Sequence, residues 1–346
     1  MIKILTDQKS QFNAGFSSLK IMSYSPTKNV FIKPNIGSSS MIANTDPYFV
    51  AGMIKYIQSV DSSISITVAD GSVKTSVDTT LDNFEKHGWS EMCSRSEVSL
   101  LNLNKVESPI TLAKNREYIN VAKMKTHMQT TVSLCSKNQK GLLSPDERKL
   151  FHQNGLHDKI LLLSSKISPI ISIVEGIIGI EGNGPGEFGK PREDNLVIVG
   201  TDMNEVDTVS AKIMGFNPYD IKHIHATYIP DDLVLPKIRP YTPPDNKFSA
   251  FNLSIYTGCA CSSCISSVGE MCRLIKSGRN VKAMAWFARH GVLSKTDIRL
   301  GKQDSTQHNT NTVFYGNCAS VGLSPDCKQI HGCPPDPDAA LKKLVE

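Results

Sequence analysis

The chain has 346 residues, 40% of them apolar and 21% charged, with a formal net charge of +5. That composition supports a buried core and, at this length, two domains or one large domain with an appendage; it excludes a disordered chain. The positive excess is spread over many lysines rather than gathered into a basic tract, so no nucleic-acid partner is expected.

The N-terminal MIKILTDQKS lacks the apolar centre and small-residue cleavage site of a signal peptide, so the expected location is cytoplasmic, where thiols stay reduced. NVFIKPN (29–35) is a short apolar run ending in polar residues and reads as a buried strand. NTDPYFVAGMIKYIQSV then reads as a helix, capped by Asp46 with Pro47 in its first turn. SISITVADG (63–71), YINVAKMKTH (118–127), ISIVEG (171–176) and NLVIVGTD (195–202) repeat the strand pattern, and MNEVDTVSAKIMGF repeats the helical one. The longest apolar stretch, residues 160–180, is interrupted by Lys166, Pro169 and Glu175; it reads as buried strand, and no membrane insertion is expected.

Strands alternating with helices predict an α/β fold with a largely parallel sheet flanked by helices over residues 1–230. The five prolines of IPDDLVLPKIRPYTPPDNKF (229–248) predict a linker there, followed by a smaller cysteine-rich α/β region at 249–346.

Ligands of open α/β sheets bind outside the carboxyl ends of the strands, so the residues that stop each run carry the functional expectation. They are Lys33 and Asn35, Asp70 and Gly71, then Lys123, Lys125 and His127, joined by Lys137, Asn138, Lys140 and Gly141 of SKNQKG (136–141). Lysines gathered at one rim with asparagines and a histidine suit a carboxylate or phosphate, with His127 moving a proton near neutral pH. Taken singly, each lysine reads as a solvated loop end and His127 as a structural histidine; their joint placement is what argues for a pocket. EGNGPGEFG (181–189) loosely matches a phosphate-binding loop, but KPRED and a strand follow it where a dinucleotide site needs a helix. It reads as a tight loop, either plain turn architecture or one that turns Glu181 and Asn183 toward a ligand.

Nine cysteines in a reducing compartment read as metal ligands or redox groups rather than disulfides, and seven of them fall after residue 250. CACSSC (259–264), FYGNCAS with Cys318 and IHGCPPDP with Cys333 offer thiolates from three separate loops. A zinc ribbon would show two short Cys-x-x-Cys knuckles, whereas dispersed loops beside glycines suit a [4Fe–4S] cubane. The ligand set reads as Cys261, Cys264, Cys318 and Cys333, with Cys259 as rival to Cys261, Cys272 as a core residue and Cys327 as a bystander. Zinc and redox-active thiols are the alternatives.

Two resemblances rest on these residues. CSSC, GNCA and GCPP occur, in that order, in a C-terminal stretch (Tyr256 to Pro337) that resembles the cluster-binding part of nickel–iron hydrogenase small subunits and the related complex I subunit. In those proteins equivalent loops hold a [4Fe–4S] cluster, although here the segment between the first and second loops is shorter. Residues 28 to 230 resemble the prokaryotic family catalogued as domain of unknown function 362, through KPN (33–35), KMKTH (123–127), SKNQKG, EGNGPGEFG and GTDMNEVDTVSAKIMGF (200–216). Some members of that family carry ferredoxin-type cluster segments, so the resemblance implies an iron–sulfur protein without fixing a reaction.

The combined expectation is a cytoplasmic iron–sulfur protein of anaerobic metabolism, with one [4Fe–4S] cluster and an anionic small molecule. His127, Lys125 and Lys137 are the expected catalytic groups, and Lys33, Asn35, Asp70, Asn138 and Asn183 the ligand-binding ones. A redox partner protein is expected, and the oligomeric state is left open. A dedicated electron carrier without a substrate and a ligand-binding protein with a structural zinc are the rival readings.

Overall fold

The computed structural model describes residues 1–38, 40–71, 79–151, 155–185, 188–245, 247–250, 253–258, 260, 262–276, 296–301, 312–321, 323 and 327–345. The chain divides into two compact units, the first made of residues 1–184 and 189–243, the second of residues 185–188 and 244–346.

In the first unit the elements run β1 (Ile2–Leu5), α1 (Gln11–Ile21), β2 (Val30–Lys33), α2 (Pro47–Val60), β3 (Ile66–Asp70), α3 (Thr80–Lys86), α4 (Trp89–Arg95), β4 (Ser99–Asn102) and α5 (Pro109–Lys114). They continue with β5 (Glu117–His127), β6 (Thr131–Ser133), α6 (Cys135–Asn138), α7 (Pro145–Phe151), α8 (Leu156–Lys166), β7 (Ile171–Gly182), β8 (Gly189–Gly200) and α9 (Met203–Ile213). The strands form an eight-stranded sheet of order β1-β8-β7-β5-β2-β3-β4, with β6 beside β5. β7, β5, β2, β3 and β4 run parallel, while β8 and β1 extend the sheet antiparallel at one edge. This is the expected α/β architecture with a largely parallel sheet.

Helices cover both faces. Phe49, Met53 and Ile57 of α2 pack with Ile32, Val68, Val121 and Ile173 on one face. Val206 and Val209 of α9 pack with Ala122, Met124 and Ile198 elsewhere on the sheet. Asp46 caps α2 by accepting from the Tyr48 N–H at 2.8 Å, with Pro47 in the first turn, as its sequence signature predicts. Asp202 caps α9 by accepting from the Asn204 and Glu205 N–H groups.

Two details differ from expectation. The apolar stretch 160–180 is not one strand: Ile160 to Lys166 complete α8, and the strand starts only at Ile171, beyond Pro169. An apolar run fits a buried helix turn as well as a strand, and here proline marks the change. The proline-rich segment also contributes to the first unit up to Pro243. Tyr241 is buried there, its N–H donates to the Met214 carbonyl, and its hydroxyl donates to Asp194.

The second unit contains β9 (Lys247–Ala250), β10 (Leu253–Tyr256), α10 (Ser262–Lys276), β11 (Thr296–Leu300), β12 (Thr312–Tyr315), β13 (Lys328–Ile330) and α11 (Pro337–Val345). Its five-stranded sheet has the order β13-β12-β11-β10-β9, parallel except for β9. Among the described residues, no helix is long and apolar enough to cross a membrane.

Candidate functional site

In the first sheet the chain moves from β2 outward through β3 and β4, then returns to place β5 on the other side of β2. The crevice between β2 and β5 is therefore the topological switch point, where open α/β sheets bind ligands. Lys33 ends β2 there, and Lys123, Lys125 and His127 fall in the last turnings of β5.

Five of the expected residues, Lys33, Asn35, Asp70, Lys125 and Asn138, are wired to one another. Lys33 Nζ lies 3.0 Å from Asp70 Oδ1 and donates to Asn138 Oδ1 at 3.3 Å. Asn35 Nδ2 donates to the same Asn138 oxygen at 3.1 Å, while Asn35 Oδ1 accepts from Lys125 Nζ at 2.7 Å. Lys125 also donates to the Ala43 carbonyl at 2.7 Å. Asn138 in turn donates through Nδ2 to Asn120 Oδ1 at 2.8 Å, which fixes its orientation. Asp70 Oδ2 accepts from the Ile36 N–H at 2.6 Å, so the same carboxylate holds the loop after β2. Gly141 closes the site from below: a Cβ there would lie 2.5 Å from Lys33 Cε and 2.6 Å from Asp70 Oδ1, so no larger residue fits against this pair.

The charge balance is uneven. Lys33 is answered by Asp70 and Lys123 by Glu175 Oε2, and both pairs are almost completely buried. Lys125, only 5% exposed, has neutral acceptors, and among the described residues the Lys137 side chain has neither hydrogen bond nor ion pair. Burial first, then the neighbouring Lys137 and Lys123, holds the Lys125 ammonium well below the usual lysine range. Burial lowers Lys137 to about 8. Lys33 is lowered by burial and partly restored by Asp70. A β-bulge sets this arrangement: Lys123 pairs with Glu175 in β7, but Lys125 pairs with Ile180, so the intervening β7 residues bow out of the ladder.

The remaining expected residues lie apart from this network. His127 is fully buried, and its Nδ1 accepts from the Gln129 N–H at 3.1 Å, a bond that leaves its proton on Nε2. Asn183 lies in the turn between β7 and β8, outside the hydrogen bonds that join Lys33, Asn35, Lys125 and Asn138. Glu181 faces a basic cluster instead, accepting from Arg239 at 2.7 Å, Arg192 at 3.2 Å and the Thr242 N–H at 3.0 Å. Despite its burial, these bonds depress its carboxyl to about 2.

Two carboxylates that support the rim escape a reading of strand ends. Glu175 interrupts the apolar ISIVEG, and a charge inside a buried strand is itself a signal that a partner must exist. Asp207, inside α9, accepts from the Cys135 and Ser136 N–H groups at 2.7 and 2.8 Å and so anchors the start of α6, which carries Lys137 and Asn138. Burial raises its carboxyl to about 6.

In the second unit the cysteine loops follow β10, β12 and β13, all at carboxyl ends of parallel strands. Gly316, at φ +95°, brings its backbone against Cys264: a Cβ there would lie 3.2 Å from Cys264 Sγ. The Asn317 N–H donates to the Gly332 carbonyl at 3.0 Å, and Asn317 Oδ1 accepts from the Gly332 N–H at 2.8 Å. The Ser267 hydroxyl, on α10, contacts the Tyr315 hydroxyl at 2.7 Å and donates to the Pro335 carbonyl. All three loops therefore meet. Cys264 is buried, and Cys318 and Cys333 are exposed. Among the described residues, no group of three or more histidine, cysteine, aspartate or glutamate side chains is gathered closely enough to hold a metal ion. Cys259 and Cys261 lie outside the described residues. Cys272 is a core residue on α10 whose thiol burial pushes up to about 12.

Residues 30–212 match the family model described as Domain of unknown function (DUF362). The chain is also 31% identical over 109 residues to the thylakoid-associated protein sll1697 of Synechocystis sp. (strain PCC 6803), a match covering 30% of this chain and 34% of that protein. The chain thus spans about a third of the length of this curated relative. No solved structure matches it. With more than half of its length matched by the family model, the chain belongs to the DUF362 family.

Proposed function

For this member of the DUF362 family we propose that the first unit binds an anionic small molecule at the β2–β5 switch point. One observation carries the reading: the buried Lys125 and its part-exposed neighbour Lys137 act on each other as like charges, with no carboxylate partner for either among the described residues. Desolvated cations without a counter-charge are costly, and an anion that reaches them gains most from their charge. Lys125 and Lys137 supply that charge. Asn35 and Asn138 hold Lys125 and Lys33 in place, and Asp70 keeps Lys33 in the wall. A carboxylate or phosphate is the ligand class such donors recognise. Calorimetric titration with sulfate and oxalate tests it: the wild type binds, and Lys125→Met and Lys137→Met each weaken binding at least about tenfold, the loss of roughly 1.4 kcal/mol. No binding of either anion by the wild type sinks the reading.

A second reading concerns the other unit and is favoured by the meeting of its three cysteine loops. We propose that Cys264, Cys318 and Cys333, with one thiolate of the CAC segment, hold a [4Fe–4S] cluster. The fit rests on the loops, which Gly316 and Asn317 bring to one end of the sheet; ligation would then draw the thiolates together, since metal binding and local folding are coupled. Such a cluster would supply single-electron chemistry, making the chain an iron–sulfur protein acting in electron transfer or in redox chemistry on an anionic small molecule, with a redox partner protein. A cytoplasmic location and an anaerobic metabolism accord with this. Anaerobic purification with iron, sulfide and zinc counted per chain decides it: about four irons and four sulfides support the cubane, whereas one zinc or no metal overturns it.

A further inference from the structure

Two histidines that no sequence motif marks lie side by side next to the lysine rim. His157 sits in the first turn of α8 and His223 in the loop after α9; their Nδ1 atoms face each other at 3.2 Å, with ring centroids 5.2 Å apart. A contact of this kind holds one proton, with one ring donating and the other accepting. His157 also bonds to the Gln129 backbone in a sense that favours the protonated ring, which makes that bond a donation to the Gln129 carbonyl. With Nδ1 turned to His223, the donating nitrogen is Nε2. In the neutral pair, His157 Nδ1 therefore accepts from His223 Nδ1–H, and His223 Nε2 is left as a bare lone pair. That nitrogen is buried without a hydrogen-bond partner, on a side chain with no solvent exposure.

The charged groups around the pair are few. Lys222 and Lys137 act against a charge on His157 and Asp158 acts for it, while His157 and Lys137 act against a charge on His223. Burial is the larger influence on both rings and, with these cations, lowers His157 below its ordinary range and His223 to about 3. The packing of α6 on α8 brings Lys137 to the pair, and Lys137 is also the strongest charge acting on Lys125. One cation is thus shared between the anion site and the two imidazoles.

We propose that the His157–His223 pair makes the anion site of Lys125 and Lys137 proton-linked, the pair taking up one proton from solvent when an anion binds. The proposal rests on the anion-binding reading above. A bound anion offsets the repulsion from Lys137. The incoming proton ends on His223 Nε2, the shared proton crosses from His223 Nδ1 to His157 Nδ1, and the positive charge rests on His157, the more exposed ring. The Nδ1–Nδ1 hydrogen bond survives with its direction reversed.

Sulfate and oxalate serve as probes because their charges do not change between about pH 5.5 and 8, the range in which imidazole titrates. Calorimetry at about pH 5.5 to 6.5, below the range in which Lys137 titrates, in buffers of different ionisation enthalpy should show net proton uptake, with affinity rising by up to about tenfold per pH unit as pH falls. His223→Asn keeps a donor for His157 Nδ1 but lacks Nε2; it should bind both anions without taking up a proton, its folding checked by thermal unfolding. Anion binding by the wild type with no proton uptake overturns the proposal and leaves the anion site standing, as does uptake that persists in both His223→Asn and His157→Gln. Failure of the wild type to bind either anion removes both readings, the anion site first.

Discussion

The two units use the same device and complete it differently. Each gathers its reactive residues at the carboxyl ends of parallel strands, the lysines around β2 and β5 in one and the cysteines after β10, β12 and β13 in the other. In the first unit the side chains are buried and held by neighbours: Asn138 orients Lys33 and Asn35, Asn35 orients Lys125, and Asp70 and Glu175 neutralise two of the lysines. In the second the backbone loops are pinned to one another, yet Cys318 and Cys333 are exposed. A site for a small anion must be preorganised by the protein, because a rigid set of donors lowers the ordering cost of binding. A thiolate site needs only its loops brought together, since metal–sulfur bonds supply the remaining order.

The largest effect should come from the cysteine loops. Cys264→Ser is expected to abolish stoichiometric iron and sulfide in anaerobically purified protein, while Cys272→Ser, altering a core thiol pushed up to about 12, leaves both unchanged. Equal loss in the two variants would mean that the metal signal reports folding rather than ligation. Next comes the buried pair at the rim. Asp70→Ala strands the Lys33 ammonium and the Ile36 N–H, and should lower stability by roughly 3–5 kcal/mol, read from urea unfolding. A near-neutral result would show that the rim does not depend on its charge pairs.

Lys137→Met should have the opposite sign. The lysine has no hydrogen bond to lose among the described residues and its folded pKa, about 8, lies below the unfolded value, so its penalty is fully present below pH 8. That penalty fades as pH rises from about 8 toward the ordinary lysine value. The variant should therefore gain roughly 1–3 kcal/mol at neutral pH, with the gain shrinking in alkali, while losing anion affinity. Lower stability at pH 7 would mean that the ammonium has a partner in the folded protein. The smallest effect belongs to Glu181. Its depressed carboxyl contributes stability above the ordinary glutamate range and loses it as pH falls toward about 2. Glu181→Gln should flatten that acid limb of the thermal-unfolding profile by about 1 kcal/mol, the modest value of an ion pair close to solvent.

Much of the first unit was legible because each cue was local. The alternation of apolar runs with capped helical periods marked the strands and helices, and the polar residues ending those runs named Lys33, Asn35, Asp70, Lys125 and Asn138, which the sheet does bring together. The helix within residues 160–166 was not legible, since seven apolar-rich residues satisfy both periods and packing decides between them. The partners of Glu181 were not legible for a related reason: Arg239 and Thr242 come from a proline-rich segment some sixty residues away, which as sequence looks like a linker.

By itself the sequence determined where the strands and helices run and which polar residues stand at the strand ends, because hydrophobic period, capping and proline act over a few residues. Only the tertiary structure decided their charge states and alliances. Whether a lysine is answered by Asp70 or Glu175 or left without a counter-charge depends on strand order and on one bulge in β7. The meeting of His157 with His223, sixty-six positions apart, likewise depends on how α8 and the loop after α9 pack. Burial sets the cost of each charge, and burial is a property of contacts between distant segments.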